Sequence, residues 1–262
     1  MKNNLDIILN LYYKPTDELK KSIENNFNTD ICTFIPINGG ASLKDDEWCQ
    51  KHLRFDDIED NISHLNPHMN EMTSVYFYWK NIMSDVCEYV GFNHYRRFFD
   101  IEDIKDYRDY DMIVSKPVFS GSGLPLITQY SIYHCVDDLI KCLNGLMKCK
   151  GRDFSYDFLA YVQRETKNLA PCNMYIMKKE LFIEWCEFIF PLLMILHKDI
   201  CSTEEFKKRD NYQKRALCFL TERLFGYWYY TKTQLGLKTK EVQIIEKLNF
   251  KPKGINERGD YS

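Results

Sequence analysis

Short apolar runs alternate with polar stretches of helical spacing along this chain. Leu5 to Tyr13 (LDIILNLYY) predicts a first strand, and Asp17 to Asn26 a helix with a start signal at Thr16 and Asp17. Ile31 to Ile37 predicts a second strand. It closes on Pro36-Ile37-Asn38-Gly39-Gly40-Ala41, a turn in which the backbone can approach a ligand or simply reverse. Asp56 to Asn70 (DDIEDNISHLNPHMN) has little apolar periodicity and predicts a polar loop. Glu71 to Asn81 becomes helical, with Val75, Tyr78 and Trp79 able to share a face.

The next run is Glu88-Tyr89-Val90-Gly91-Phe92-Asn93-His94-Tyr95-Arg96-Arg97-Phe98-Phe99. Tyr89, Val90 and Phe92 supply strand-forming bulk, and one imidazole and two guanidiniums follow within four residues. Ligands of α/β sheets bind beyond the carboxyl ends of the strands, where a His-x-Arg-Arg group suits an anion. The alternative is a strand edge whose arginines pair with Asp100, Glu102 and Asp103.

Asp109 to Ser115 predicts another strand. Asp109 and Asp111 match an Asp-x-Asp divalent-metal pair in form, but they precede the apolar run. That places them at the amino end of the strand, away from the expected ligand edge. Pro125 to Lys148 predicts one helix, with Tyr130, His134 and Asp137/Asp138 on one side and Gln129 beside them. Asn173 to Met177 predicts a short strand. An apolar helix from about Glu180 follows, interrupted at Pro191.

Asp210 to Tyr230 predicts a second long helix in which Arg215, Phe219 and Glu222 share a face, with Arg223 alongside. That face is either an ion-pair network supporting the helix or a carboxylate aimed into a cleft. Val242 to Ile245 predicts a late strand, and 251–262 a frayed tail.

The expected fold class is α/β, with a central mixed sheet and flanking helices. The chain reads as one composite domain over 1–262: an α/β part over 1–178, a mainly helical part over 179–250 folded back on it, and the tail.

Composition narrows the field. A net charge of −3 provides no basic field for nucleic acid. The ten cysteines include no Cys-x-x-Cys pair and no Cys/His ligand grouping. They read as reduced thiols of a cytoplasmic protein, with no signal peptide at the start of the chain. Leu181 to Leu196 is the most apolar stretch, but it holds Glu184, Glu187 and Pro191 and is too short and polar to span a bilayer. The aromatic run Tyr227-Trp228-Tyr229-Tyr230 fits either a peripheral membrane contact or core packing.

Several stretches together resemble a known family: glycosyltransferases found with bacterial capsular-polysaccharide and lipopolysaccharide biosynthesis genes, long catalogued as a domain of unknown function. They are IPINGGA (35–41), DNISHLNP (60–67), EMTSVYFYWKN (71–81), YVGFNHYRRFF (89–99), YDMIVSKP (110–117), QYSIYHCVDDL (129–139), NMYIMKKELF (173–182) and RALCFLTERLF (215–225). The chain departs from the family pattern at Glu59 and Cys218, where glycine is usual, and at Asn70-Glu71-Met72-Thr73, where Cys-Glu-Leu-Thr is frequent.

The resemblance implies a GT-A-like, Rossmann-related sheet and a nucleoside diphosphate sugar donor, UDP-linked, carrying galactofuranose or galactopyranose. The acceptor it implies is a growing glycan on a lipid carrier, at the inner face of the membrane. No cofactor is expected, because Asn93-His94-Tyr95-Arg96-Arg97 stands where metal-dependent relatives carry Asp-x-Asp.

In that reading Arg96 or Arg97 offsets charge on the departing diphosphate, and His94 donates to a phosphate or sugar oxygen. Pro36, Gly39 and Gly40 line the nucleotide pocket. Asp60, Asn61 and Ser63 contact sugar or ribose, held by Glu71 and Trp79. Gln129, Tyr130, Asn173, Arg215 and Arg223 complete the substrate contacts. Glu222 is the candidate general base, with His134 as the alternative base or an acceptor contact. Two other readings stay open: a non-catalytic sugar-nucleotide or glycan-binding module, and a phosphoester hydrolase using His94.

Overall fold

In a computed structural model, the structure describes residues 4–11, 15–24, 29–43, 47–116, 118–119, 123–168 and 171–246. Tyr12 and Tyr13 of the predicted first strand, the end of the first helix and the tail at 251–262 lie outside these.

Seven strands form the main sheet. In chain order they are β1 (Leu5–Asn10), β2 (Thr33–Asn38), β3 (Arg54–Phe55) and β4 (Tyr89–Asn93), then, after the short β5 (Phe98–Phe99), β6 (Met112–Ser115). A small pair, β7 (Val118–Phe119) and β8 (Lys167–Asn168), precedes β9 (Tyr175–Lys178) and β10 (Thr239–Val242). Finally β11 (Ile244–Ile245) pairs antiparallel with β5.

The main sheet has the spatial order β10-β6-β9-β4-β1-β2-β3. Every neighbouring pair is parallel except the two that β9 makes with β4 and β6. The central strands are buried on both faces, which is why their sequences read as continuous apolar runs. The inversion of β9 brings its amino end to the carboxyl ends of β1, β2, β4 and β6. Residues 172–174 therefore arrive at the same edge of the sheet as Asn10, Asn38 and Asn93.

The helices are α1 (Asp17–Glu24), α2 (Glu47–His52), α3 (Asn66–Met69), α4 (Met72–Phe77), α5 (Ile101–Ile104), α6 (Leu126–Tyr133), α7 (Val136–Lys150), α8 (Arg152–Arg164), α9 (Lys179–Leu196), α10 (Glu204–Lys207) and α11 (Ala216–Gln234). α9 and α11 pack their aromatic faces together behind the sheet. Trp185 meets Phe225 edge-on at 5.0 Å between ring centres, and Trp228 at 5.4 Å.

Local expectations are corrected at several points. The predicted loop at 56–70 contains a 3₁₀ turn (Ser63–Leu65) and α3, which starts at Asn66 with Pro67 in its first turn. Pro125 to Lys148 is two helices, because His134 is extended (φ −139°, ψ 171°). The break sends Asp138 to a buried bidentate pair with Arg209, at 2.6 and 2.9 Å, and not toward His134. α9 continues through Pro191, whose ring faces solvent, and runs on as a π-helical segment, His197–Cys201.

Residues 213–215 form a 3₁₀ turn, so α11 starts at Ala216 with Arg215 as its N-cap. In the aromatic run, Tyr227, Trp228 and Tyr229 are buried and only Tyr230 is exposed. The core takes these rings, which leaves no aromatic face there for a bilayer. The late strand begins earlier than expected, at Thr239, and β10 closes the edge of the main sheet against β6.

Candidate active site

At the carboxyl ends of the parallel strands a cleft of about 300 Å³ opens. Asn10 from β1 and the His94–Tyr95 turn after β4 form one wall. Pro67, Asn70 and Glu71 form another, and Asn211, Lys214 and Arg215 the third. A larger cavity of about 490 Å³ lies between α8 and the last turns of α11. It borders the helix end that leads into the start of β10, away from the strand carboxyl ends, so the smaller cleft is the candidate site.

The cleft is rich in buried polar atoms that the fold leaves unpaired. His94 is 8% exposed and its Nδ1 has no hydrogen-bond partner among the described residues. The same is true of Asn93 Nδ2, Asn173 Oδ1 and Asn66 Oδ1 around it. Buried polar groups are almost always paired, so a cluster of orphans at one strand edge marks a place for a polar ligand.

Cations surround this cluster. Burial and the guanidiniums of Arg97, Arg96 and Arg215 push the His94 imidazole down to about 3, so it is neutral at pH 7. Asn70, turned so that its carbonyl oxygen faces Arg215, accepts from Nη2 at 2.9 Å. Arg97 donates to Cys172 Sγ. The chain reverses between His94 and Arg97, closing on the Arg97 N–H to His94 carbonyl bond at 3.3 Å. The two arginines therefore do not alternate along a strand: Arg96 is exposed, with its guanidinium 5.3 Å from the Tyr95 ring, while Arg97 turns inward.

Backbone strain concentrates in the same place. Asn70 (φ +46°), Cys172 (φ +63°) and Asn173 (φ +53°) all occupy the region L-residues avoid. A connected set of bonds holds them. Asn173 donates to Glu71 Oε1 at 2.7 Å, and Cys218 donates its thiol to the same carboxylate at 3.2 Å. The Cys172 N–H donates to Glu222 Oε1 at 2.9 Å, and Arg223 donates to Glu222 Oε2 at 2.9 Å. Arg223 in turn reaches Gln129 at 3.5 Å and lies over the Tyr130 ring. Burial raises the Glu71 carboxyl above the usual range, against the donors Asn173 and Cys218.

Of the residues predicted from sequence, His94, Glu71 and Arg215 line the cleft directly. Arg97, Asn173, Glu222, Arg223, Gln129 and Tyr130 stand in the shell behind it. Gly39 and Gly40 pack beneath: a Cβ on Gly39 would lie 2.3 Å from Asn10 Oδ1, and Gly40 has φ +67°. His134 stacks on Phe219 at 4.0 Å, outside the cleft wall, and burial with the Arg223 charge pushes it down to about 4.

Other expectations fail on geometry. Asp60 accepts from Tyr76 at 2.9 Å and is exposed on the outer surface. Asn61 caps its own turn, accepting from the Ser63 N–H at 3.2 Å. Ser63 is fully buried and donates to Asp56 at 2.6 Å. This group braces the glycine turn, because Asp56 also accepts from the Gly40 and Ala41 N–H groups, each at 2.9 Å.

Trp79 stacks on Phe190 at 5.6 Å under Lys80, on the α9 side. Pro36 is inside β2, opposite Leu9. Asp111 is tied to Lys178 at 2.6 Å and to the Lys238 N–H at 2.8 Å, which hold its carboxyl below the usual range. It precedes β6, at the opposite edge of the sheet from the cleft.

Sequence reasoning missed Asn10, Asp56, Asn70, Asn211 and Lys214. Asn10 alone left a signal, as a polar residue closing an apolar strand.

The family described as a domain of unknown function, DUF4422, matches residues 22–233. The chain belongs to the DUF4422 family. No curated protein matches it. Among solved structures, the apo form of the bifunctional glycosyltransferase WbbM superposes with a TM-score of 0.75 at 22% identity, over 97% of this chain and 48% of WbbM. The DUF4422 chain thus spans about half the length of that protein. The shared architecture is the expected GT-A-like one, a mixed sheet with flanking helices. It carries the candidate site at the sheet's ligand-binding edge.

Proposed function

We propose that this DUF4422 protein is a glycosyltransferase that binds a nucleoside diphosphate sugar in the cleft at the carboxyl ends of β1 and β4 and passes the sugar to a glycan hydroxyl. The observation that carries the reading is the unpaired, neutral His94 set among Arg97, Lys214 and Arg215. Together these form a cationic pocket with a hydrogen-bonding imidazole at its floor. The likeness to the WbbM fold supports the same class.

In this mechanism Arg215 and Lys214 take the diphosphate, and with the Arg97 charge behind them offset the charge that grows as the glycosidic bond breaks. His94, neutral, offers one ring nitrogen to a phosphate or sugar oxygen. A neutral imidazole is not the proton donor that a hydrolase using His94 as acid needs; a hydrolase using His94 as nucleophile keeps its neutral ring, and against it stands the likeness to the WbbM fold. Glu71 replaces Glu222 as the candidate base. It lines the cleft, whereas Glu222 stands behind it with its oxygens holding the 172 turn and Arg223.

The cations stand in for a metal on the diphosphate. A UDP-linked galactose donor in furanose or pyranose form, and a lipid-linked surface-polysaccharide acceptor, follow from the family resemblance. No helix among the described residues is long and apolar enough to cross a membrane, so such an acceptor would be met at the membrane surface.

The test is a thermal-shift screen of UDP-, GDP-, dTDP- and CMP-sugars with EDTA or manganese, on wild type and Arg215→Ala. Stabilisation by one nucleotide class that survives EDTA and disappears in Arg215→Ala supports the metal-free clamp. Stabilisation only with manganese overturns the clamp, and no stabilisation by any nucleotide overturns the donor site. With donor and acceptor in hand, Glu71→Gln should lower kcat by at least about a hundredfold and Glu222→Gln less.

A further inference from the structure

The sequence has no Cys/His ligand grouping, yet the fold builds one from residues far apart in the chain. His68 lies on α3, and His197 and Cys201 sit at either end of the π-helical segment that prolongs α9. His68 Nδ1 and His197 Nε2 are 3.1 Å apart, and with Cys201 Sγ the donor atoms all lie within 4.8 Å of one another. In tetrahedral zinc sites, bonds of about 2.0–2.1 Å place two nitrogen ligands about 3.3 Å apart. The His68–His197 spacing is already close to that edge. The ring of Phe206 stands edge-on to His68 at 5.0 Å and walls one side.

We propose that His68, His197 and Cys201 form a binding site for a thiophilic divalent cation of the zinc type. The donor set is chemically right, since imidazole and thiolate select zinc over magnesium or calcium. The fourth position falls to water or to the exposed His64, which precedes His68 by four residues and whose charge reaches His197.

Proton balance is simple. The N–H that now joins the two imidazoles moves to the far nitrogen of its ring. Cys201 releases its thiol proton to solvent as the metal–sulfur bond forms, so one proton leaves per ion bound. Burial holds that thiol up at about 12, and a coordinated cation displaces such a proton outright. Lys214 beside His68 and Arg209 near Cys201 oppose a dication, while the thiolate and the nearby Asp138 favour it.

The site would tie α3 to the end of α9. Because α3 also presents Pro67 to the cleft, the ion would fix one wall of the candidate active site. This inference does not depend on glycosyl transfer.

The experiment is a cobalt titration of the chelator-treated full chain followed by absorption, with thermal midpoints in zinc measured in parallel. The expected result is tetrahedral ligand-field bands, a thiolate-to-cobalt charge-transfer band saturating at one equivalent, release of one proton, and a raised midpoint with zinc. Cys201→Ser should lose the charge-transfer band, and His68→Ala/His197→Ala should lose both bands and the zinc response. Should the double variant fail to fold, X-ray absorption on zinc-loaded wild type decides: one sulfur and at least two nitrogens support the site. Oxygen-only coordination, absence of the charge-transfer band, or an equal zinc response in the folded double variant overturns it.

Discussion

Asn173 donates its side-chain amide to Glu71 Oε1 at 2.7 Å, joining the start of α4 to the amino end of β9. The bond spans 102 positions of sequence and lies behind the cleft wall to which Glu71 belongs. It exists because β9 runs against its neighbours and so delivers its first residues to the ligand edge.

Removing that amide should expose how the site is held. Asn173→Gly keeps the left-handed backbone without strain but takes a donor from a buried carboxylate, at a cost of about 2 kcal/mol where that carboxylate is ionised. Glu71 is raised in the folded state, so the folded chain binds its proton more readily than the unfolded one. The penalty is complete above the folded value and fades as pH falls toward the ordinary carboxylate range. A pH series of urea denaturations checks both parts: the loss should grow as pH rises through the folded carboxyl's titration.

Asp56 is expected to be a structural determinant of the site although it never touches the cleft. Asp56→Asn weakens a carboxylate that accepts from Gly40, Ala41 and Ser63, and should destabilise by about 2–3 kcal/mol. Gly39→Ala should push Asn10 into the cleft and reduce nucleotide affinity more than it lowers the thermal midpoint. Paired calorimetry and nucleotide titration of the two variants separate the effects.

Acid should weaken the fold before the carboxylates titrate. His94 is held down to about 3 by burial and by Arg97, Arg96 and Arg215, and His134 to about 4 by burial and Arg223. Unfolded histidines titrate near 6.5, so between about pH 6.5 and 4 the unfolded chain binds more protons and stability is lost as the pH is lowered. Each fully suppressed histidine contributes up to about 1.4 kcal/mol per pH unit across that window. A pH series of unfolding free energies should show the slope, and His94→Gln should flatten it.

Glu59 has φ +53° on an exposed turn. A side chain there costs about 1 kcal/mol relative to glycine, so Glu59→Gly should raise stability by about that amount. Its denaturation midpoint against wild type is the check.

Local chemistry alone determined a good part of this protein. Continuous apolar runs at Leu5–Asn10 and Tyr89–Asn93 announced buried parallel strands, because a strand covered on both faces has no polar side. The change from Phe92 to His94 and the arginines marked the end where the sheet stops and a ligand can begin. The Gly39-Gly40 turn was legible because only glycine tolerates its φ and its crowding.

Tertiary structure decided the rest. Asp60, Asn61 and Ser63 read as sugar contacts, but Tyr76 claims Asp60, Asp56 claims Ser63 and Asn61 caps its own turn, since a hydrogen bond depends on which atoms meet in space. Pro191 reads as a helix breaker, but α9 runs through it where the ring faces water. Arg96 and Arg97 were separated by a turn that adjacency in sequence does not reveal. The direction of β9 had no sequence signal at all, yet it sets Asn173 on Glu71. His68, His197 and Cys201 meet for the same reason: long-range packing, and not local propensity, brings distant side chains to one point.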